Sequence, residues 1–215
     1  MARSRKFSRK DIIDAAFLVV REKGLAGLTA RAVAQALDAS TMPVYSHVKT
    51  MSELGEAVVR KAWDVLAQIQ EESPSGDIYI DMGLGYVLFA KREPMLFACI
   101  HSEEYSAINT GCGEVNFEAN LKRLMAARHP MFEGVDEETA RKVMFYGWLF
   151  AHGFASLLTS GIGNEARRLE SESATIDMFK SANKIFFHGL KSILKQPSPK
   201  GSDSERIQPD ASDTI

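Results

Sequence analysis

Cysteine is scarce here: the chain has two in 215 residues, Cys99 and Cys112. Two thiols make no disulfide framework, and these two lack metal-ligand spacing. They read as reduced core residues of a cytoplasmic protein. Long apolar runs are missing too. The nearest, Val143 to Leu158, contains Tyr, Trp, His and Gly and falls short of the roughly 20 residues of a membrane span, so no membrane partner is expected. Residues 1–10 are basic but lead into no unbroken apolar stretch, which argues against a secretory leader. No sustained apolar–polar alternation appears, and this disfavours β-sheet architectures. There is also no internal repeat, phosphate-cradling glycine loop, carboxylate pair or nucleophile–base set, so no enzyme chemistry and no cofactor is implied.

What is present is helical periodicity and an uneven distribution of charge. The net charge is −2, with 45% hydrophobic and 25% charged residues, ordinary for a globular protein. Residues 1–50 carry nine Lys and Arg against four acids, whereas the rest carry 17 bases and 24 acids. A basic N-terminal segment on an acidic body suits a protein that presents one end to a polyanion.

The segment from Leu28 to Leu54 reads as two short helices, a tight turn between them, and the capped start of a longer helix. Ala30, Val33, Ala34 and Leu37 recur at i, i+3, i+4 and i+7, Asp38-Ala39-Ser40 interrupts, and Val44 and Val48 turn the next helix inward. Two short helices bury little by themselves. Their common use is to hold the second one out toward the DNA major groove.

Ahead of them, Ser8 and Asp11 form a capping pattern, with Ile13, Ala16, Phe17 and Val20 as the buried face and Gly24 as the stop. Thr29 is placed to cap the second helix and Ser40 or Thr41 the third, with Pro43 in its first turn. Thr50-Met51-Ser52-Glu53 is a capping box opening a fourth helix. Its stripe of Leu54, Ala57, Val58, Ala62, Val65, Leu66 and Ile69 runs to about Glu72. Ser73-Pro74-Ser75-Gly76 is a break. Longer helices are expected over 77–92, 94–108, 113–128, 136–160 and 174–195, separated by Pro94, Gly111, Pro130 and Gly161-Ile162-Gly163. Residues 196–215 are rich in Pro, Ser and Asp and read as a disordered tail.

Residues 8–55 resemble the DNA-binding domain of the tetracycline-repressor (TetR) family of transcriptional regulators. The resemblance rests on Ala15-Ala16, Gly24, Leu28-Thr29, Ala34, Tyr45-Ser46-His47-Val48-Lys49 and Leu54. The segment Trp148 to Leu158 also looks like the penultimate helix of many members. Asp38 departs from the glycine usual in the family's turn, but Asp is among the few residues that tolerate a left-handed conformation.

The resemblance implies an all-α protein: a helix-turn-helix domain over 1–55 with a basic arm at 1–7, a connecting helix at 51–72, and an effector-binding and dimerisation domain at 77–195. It implies a homodimeric repressor that binds a palindromic double-stranded operator and is released by a small effector. Thr41, Met42, Pro43, Tyr45, Ser46 and His47 would lie on or beside the DNA side of the recognition helix, with Ser40 at its start. That surface has no Arg, Asn, Gln or Lys, so readout would come from a Thr41 hydrogen bond and apolar contact of Met42 and Pro43 with thymine methyls. Arg31 would meet either a guanine or a phosphate. Thr29, Tyr45, His47 and Lys49 would hold phosphates, with packing against the first helix as the other reading of His47. Arg3, Arg5, Lys6, Arg9 and Lys10 would follow the backbone or enter the minor groove.

The expected effector pocket is lined by Tyr86, Phe89, Phe97, Ile100, His101, Tyr105, Met125, Phe145, Trp148 and His152, and suits an apolar or aromatic ligand. Plain core is the other reading of each. The expected dimer interface uses Phe150, Phe154 and Leu157 with Phe179, Ile185, Phe186 and Leu190. His101 and Glu104 stand at i, i+3, a spacing common by chance, and no metal is expected. The competing classes are a ligand-carrier or interaction module without operator binding and a helical-bundle enzyme.

Overall fold

The computed structural model describes residues 7–72, 75–160 and 169–194. Arg3, Arg5, Lys6, the Ser73-Pro74 and Gly161-Ile162-Gly163 breaks and the tail from 196 lie outside the described residues. Among the described residues there are nine α-helices and no strand. They are α1 (Arg9–Lys23), α2 (Ala30–Ala36), α3 (Met42–His47), α4 (Met51–Glu72), α5 (Ile78–Arg92), α6 (Pro94–Ile100), α7 (Ser106–Ala126), α8 (Glu137–Ser160) and α9 (Glu172–Leu194). No described helix is long and apolar enough to cross a membrane.

Local signals set the helix ends in the head. Ser8 Oγ accepts the Asp11 N–H at 3.2 Å, and Asp11 Oδ2 accepts the Ser8 N–H at 2.8 Å, closing a capping box on α1. Gly24 ends that helix at φ 71°. Thr29 caps α2 by accepting the Ala32 N–H at 3.1 Å. At the other end of α2, Asp38 takes φ 51°, its N–H reaches Gln35 O at 3.1 Å, and the Ala39 N–H reaches Ala34 O at 3.0 Å. These two bonds are the Schellman closure, with Asp in the place glycine usually fills.

Two expected caps differ from the sequence reading. Thr41 precedes α3 in a helical conformation and its hydroxyl caps nothing. At α4, Thr50 Oγ1 accepts the Glu53 N–H at 3.1 Å, but Glu53 returns to the Lys49 N–H at 2.9 Å rather than to that of Thr50. Its other oxygen is engaged by Arg9 at 3.0 Å.

Helix α4 is the spine. Its 22 residues extend about 33 Å. Leu54, Val58, Val59, Ala62 and Leu66 are all essentially inaccessible, and each large apolar side chain among them contributes roughly 1.5–3 kcal/mol on burial. One hydrophobic cluster runs from Ile12 and Val20 of the head through α4 to Phe89 of α5 and Phe179 of α9. Helix α5 is apolar nearly all round because α4, α6, α8 and α9 enclose it. Gly85 lets it press onto the Gln70 backbone of α4, where a Cβ would collide.

The expected helix over 94–108 is not continuous. Helix α6 stops at Ile100, a 3-10 turn covers Glu103–Tyr105, and α7 begins at Ser106 rather than 113. Gly111 and Gly113 therefore lie inside α7 and do not separate helices. A glycine in a helix interior costs only about 1 kcal/mol, which packing of α7 along α4 outweighs. Gly113 also gives room to Trp63, whose ring a Cβ would approach at 3.3 Å.

On α8 and α9, several residues expected at a dimer interface are used inside one chain. Phe179 is fully buried and Leu190 nearly so. Phe150 stacks on Phe186 at 5.0 Å, and both Phe150 and Phe154 lie 5.5 Å from Phe179. The physical reason is that α9 covers α5, and Phe179 is the aromatic that comes to lie over Gly83 of α5. Still outward are Tyr146, Leu149 and Leu157 on α8 and Met178 and Ile185 on α9, with Ile185 77% exposed.

Candidate nucleic-acid interface and ligand cavity

Helix α3 is only six residues long, and two of its anchors face inward: Val44 is 0% and Val48 4% exposed. The opposite face projects Met42, 77% exposed, and Tyr45, 61% exposed, with Thr41 and Ser46 beside them. A short helix that buries two valines and displays a methionine and a tyrosine presents that outer face for use. Ser46 donates its hydroxyl to Met42 O at 2.7 Å, so its oxygen is left to accept. Ser40 is exposed at the turn, while Pro43 and His47 are half-buried. Thr29 and Arg31 at the start of α2 and Lys49 just after α3 are exposed, and the side chains of Arg31 and Lys49 have no ion-pair partner among the described residues.

Arg9 and Lys10 do not belong to an extended arm. They stand in the first turn of α1, with Arg9 held by Glu53 and Lys10 by Asp14 at 2.5 Å. The Lys49 N–H bond, then Arg9, hold the Glu53 carboxyl below its ordinary range. Other ties bind head to body. Arg21 of α1 makes a two-pronged contact with Glu93 at the start of α6, where Glu93 is 8% exposed. Lys61 of α4 reaches Asp14 at 2.5 Å and lies 4.6 Å from the centre of the Phe17 ring.

The body holds a cavity of about 710 Å³ between α4, α5, α7, α8 and α9. One wall is aromatic. Phe145, Trp148 and His152 stand at i, i+3 and i+7 on α8, stacked at 5.7 Å and 5.2 Å. Phe145 and Trp148 still keep 47% and 39% of their surface exposed. A second wall carries carboxamides: Gln70 on α4, Asn109, Asn116 and Asn120 on α7, and Asn183 on α9. Gly147 on α8 opens the space beside Tyr79, whose hydroxyl a Cβ there would strike.

Between the walls, the Tyr86 hydroxyl lies 2.9 Å from His101 Nε2 and 2.8 Å from His152 Nδ1. One hydroxyl proton serves one imidazole, so the other ring must donate its N–H to the tyrosine oxygen. Burial, and then the nearby His152, push the His101 pKa down to about 4. Burial also lowers that of His152 and raises that of Tyr86. All three are uncharged at neutral pH. Among the described residues no three His, Cys, Asp or Glu side chains converge as a metal site, and His101 turns Nε2 to Tyr86.

Five of the ten residues expected at the pocket line this cavity: Tyr86, Ile100, His101, Phe145 and Trp148. His152 stands behind Trp148 and Tyr86 without lining it. Phe89 and Phe97 are core, Phe97 packing on His101 at 4.7 Å. Tyr105 fills the space over Gly55 of α4, and Met125 lies away from the cavity, 37% exposed. Helical spacing alone does not separate the ring that faces a void from the ring that faces a neighbouring helix. The carboxamide wall was not anticipated. Its signal is an amide in an apolar stripe: Gln70 after Leu66 and Ile69, Asn120 beside Leu121 and Leu124, Asn183 between Phe179 and Phe186.

No protein-family model matches the chain, and no curated protein matches it. Solved structures do. A protein of unknown function from Rhodococcus sp. RHA1 is 18% identical, with a TM-score of 0.66 over 89% of this chain and 99% of its own. The transcriptional regulator SCO7222, a TetR from Streptomyces coelicolor, is 18% identical, with a TM-score of 0.59 over 87% of this chain and 99% of its own. The multidrug binding protein EbrR, complexed with imidazole, is 22% identical, with a TM-score of 0.51 over 80% of this chain and 93% of its own. With its capped three-helix head, exposed α3 face and helical body, the chain has the fold of the TetR-type transcriptional regulators.

Proposed function

We propose that this protein is a homodimeric, DNA-binding transcriptional repressor of a palindromic operator, controlled by a small molecule taken into the cavity of its body. The observation that carries the reading is α3. Its apolar anchors are buried and Met42 and Tyr45 are displayed on a TetR-type fold, while Arg31 and Lys49 are exposed and have no ion-pair partner among the described residues. Thr41, Met42 and Pro43 read base edges by hydrogen bonding and methyl contact; Thr29, Tyr45, Ser46, His47 and Lys49 fix register on phosphates. Ser40 sits at the start of the reading helix.

Two copies pair through the outward apolar stripes of α8 and α9, with Leu149, Leu157 and Ile185 at the contact. They set their α3 helices about 34 Å apart, one turn of DNA, or a multiple of it. The structural neighbour EbrR is a multidrug binding protein, which supports a ligand role for the body of this fold. Release works through differential affinity: an effector that favours the conformation with the heads wrongly spaced lowers operator occupancy. Helix α4 and the Arg21–Glu93 tie carry the change from cavity to head.

Selection of bound sequences from a random DNA pool at two salt concentrations tests this. An inverted-repeat consensus with a steep salt slope is expected. Weak binding without sequence preference, with or without small molecules, would overturn it.

A further inference from the structure

The cavity wall formed by α4 and α7 has little hydrogen bonding left to offer a ligand. Gln70 Nε2 donates to Met82 O at 3.0 Å, and its Oε1 accepts from Asn116 at 3.1 Å and Asn120 at 3.2 Å. Asn116 Oδ1 accepts from Asn120, and Asn120 Oδ1 from Arg123, both at 3.2 Å. Asn109 accepts the Trp63 indole N–H at 3.2 Å and donates to Ser102 O at 3.1 Å. The Tyr86 hydroxyl is taken up between His101 and His152. Polar groups that already satisfy one another do not call for a ligand rich in donors and acceptors.

Charge is what remains, and it has one sign. Among the described residues no Lys or Arg lines the cavity, and its acids are Glu114 and Glu118, both on α7. Glu118 gives both oxygens to Arg141, which also holds Glu137. Glu114 is exposed and has no ion-pair partner among the described residues. The same cavity is lined by the Phe145–Trp148 stack, which keeps 47% and 39% of the two residues' surface uncovered. A ring face is the negative side of the aromatic quadrupole and attracts a cation, that of Trp most strongly. An uncompensated carboxylate beside bare ring faces therefore favours positive charge. An anion would be repelled by both, and a neutral ring would gain the stacking alone.

We infer that the cavity takes a planar aromatic cation whose positive charge is spread over the ring, stacked on Trp148 and Phe145 with Glu114 as its counter-charge. The inference rests on the proposed function only in treating that molecule as the effector; the binding claim stands without DNA.

The test is calorimetric titration of the full-length protein with three probes of matched ring size: N-methylquinolinium, its neutral isostere 1-methylnaphthalene, and the anion 1-naphthoate. The cation is expected to bind about tenfold more tightly than the neutral isostere, although it is the better hydrated of the two, and naphthoate is expected not to bind. Two variants locate the preference. Glu114→Gln keeps the size of an exposed side chain, so it should melt with wild type while the preference falls about threefold, the worth of one exposed ion pair. Trp148→Leu should weaken the cation more than the isostere, and its melting temperature, taken alongside, separates a lost ring face from a lost fold. Binding of methylnaphthalene as tight as that of the cation, binding of naphthoate, no binding of any probe, or a preference unchanged in either variant would overturn the inference. Operator selection is read separately. A sequence-specific DNA binder without the charge preference loses this inference alone, and a cation-selective protein without an operator loses the repressor reading alone.

Discussion

Replacing Asp38 by glycine is expected to stabilise the protein. Asp38 holds φ 51° at the end of α2, in the Schellman turn that aims α3. The left-handed conformation costs a residue with a Cβ about 1 kcal/mol, and Asp sits at the low end of that range. Its carboxylate also stands at the negative end of the α2 dipole, worth roughly 0.3–1 kcal/mol at low salt. Against this, glycine gives the unfolded chain more freedom, costing about 0.4–1 kcal/mol. The balance favours Asp38→Gly by about 0.5–1 kcal/mol, or about 1–4 °C in melting temperature for a chain of this size. Two companion variants separate the contributions. Asp38→Asn removes only the charge, so its smaller gain should fade in high salt. Asp38→Ala keeps the Cβ but loses the side chain that makes the conformation tolerable, so it should melt below wild type. Thermal and urea unfolding at one fixed protein concentration measures all four proteins, since self-association would otherwise move the midpoints. If Asp38→Ala equals or exceeds Asp38→Gly in stability, backbone strain at the turn is not what this position feels.

Alanine at Tyr45 and Lys49 should collapse operator affinity by gel shift while leaving melting temperature and oligomeric state nearly unchanged, because both side chains are exposed. Arg21→Met strands the Glu93 carboxylate in a site 9% exposed. It should cost about 1–2 kcal/mol, less than a fully buried pair because the Arg21 side chain is 51% exposed, and urea unfolding should show Glu93→Gln recovering part of it in the double variant. His101 has a folded pKa of about 4, below its unfolded value near 6.5. The unfolded chain therefore binds the extra proton first, and stability present above pH 6.5 should decline as the pH falls toward 4. Melting curves across that window should flatten in His101→Phe; an unchanged slope would remove His101 as the cause. Ile185→Arg, placed where the side chain is 77% exposed, should leave folding intact but shift sedimentation toward the monomer.

Much of the head was legible because its signals are local. The Ser8–Asp11 box, the Gly24 stop, the Thr29 cap, the Asp38 turn and the inward Val44 and Val48 each depend on residues within a few positions, and each occurs as read. The reach of α4 to Glu72 was likewise carried by its own stripe. Where partners lie far away in the chain, periodicity stopped being informative. Gly111 read as a break and Gly113 as a helix start, yet both sit inside α7 because α4 packs along it, and at Gly113 Trp63 needs the room. Phe179 and Trp148 are both large aromatics on apolar helices. Only the placement of α9 over α5 buries the first, and only the gap between α7 and α8 leaves the second facing a cavity. The sequence by itself determined the helices of the head and which short one projects outward, since capping and amphipathicity are properties of neighbouring residues. Tertiary structure alone decided which rings enclose space and which amides close on one another, because a void is a property of helices meeting and belongs to no single stretch of chain.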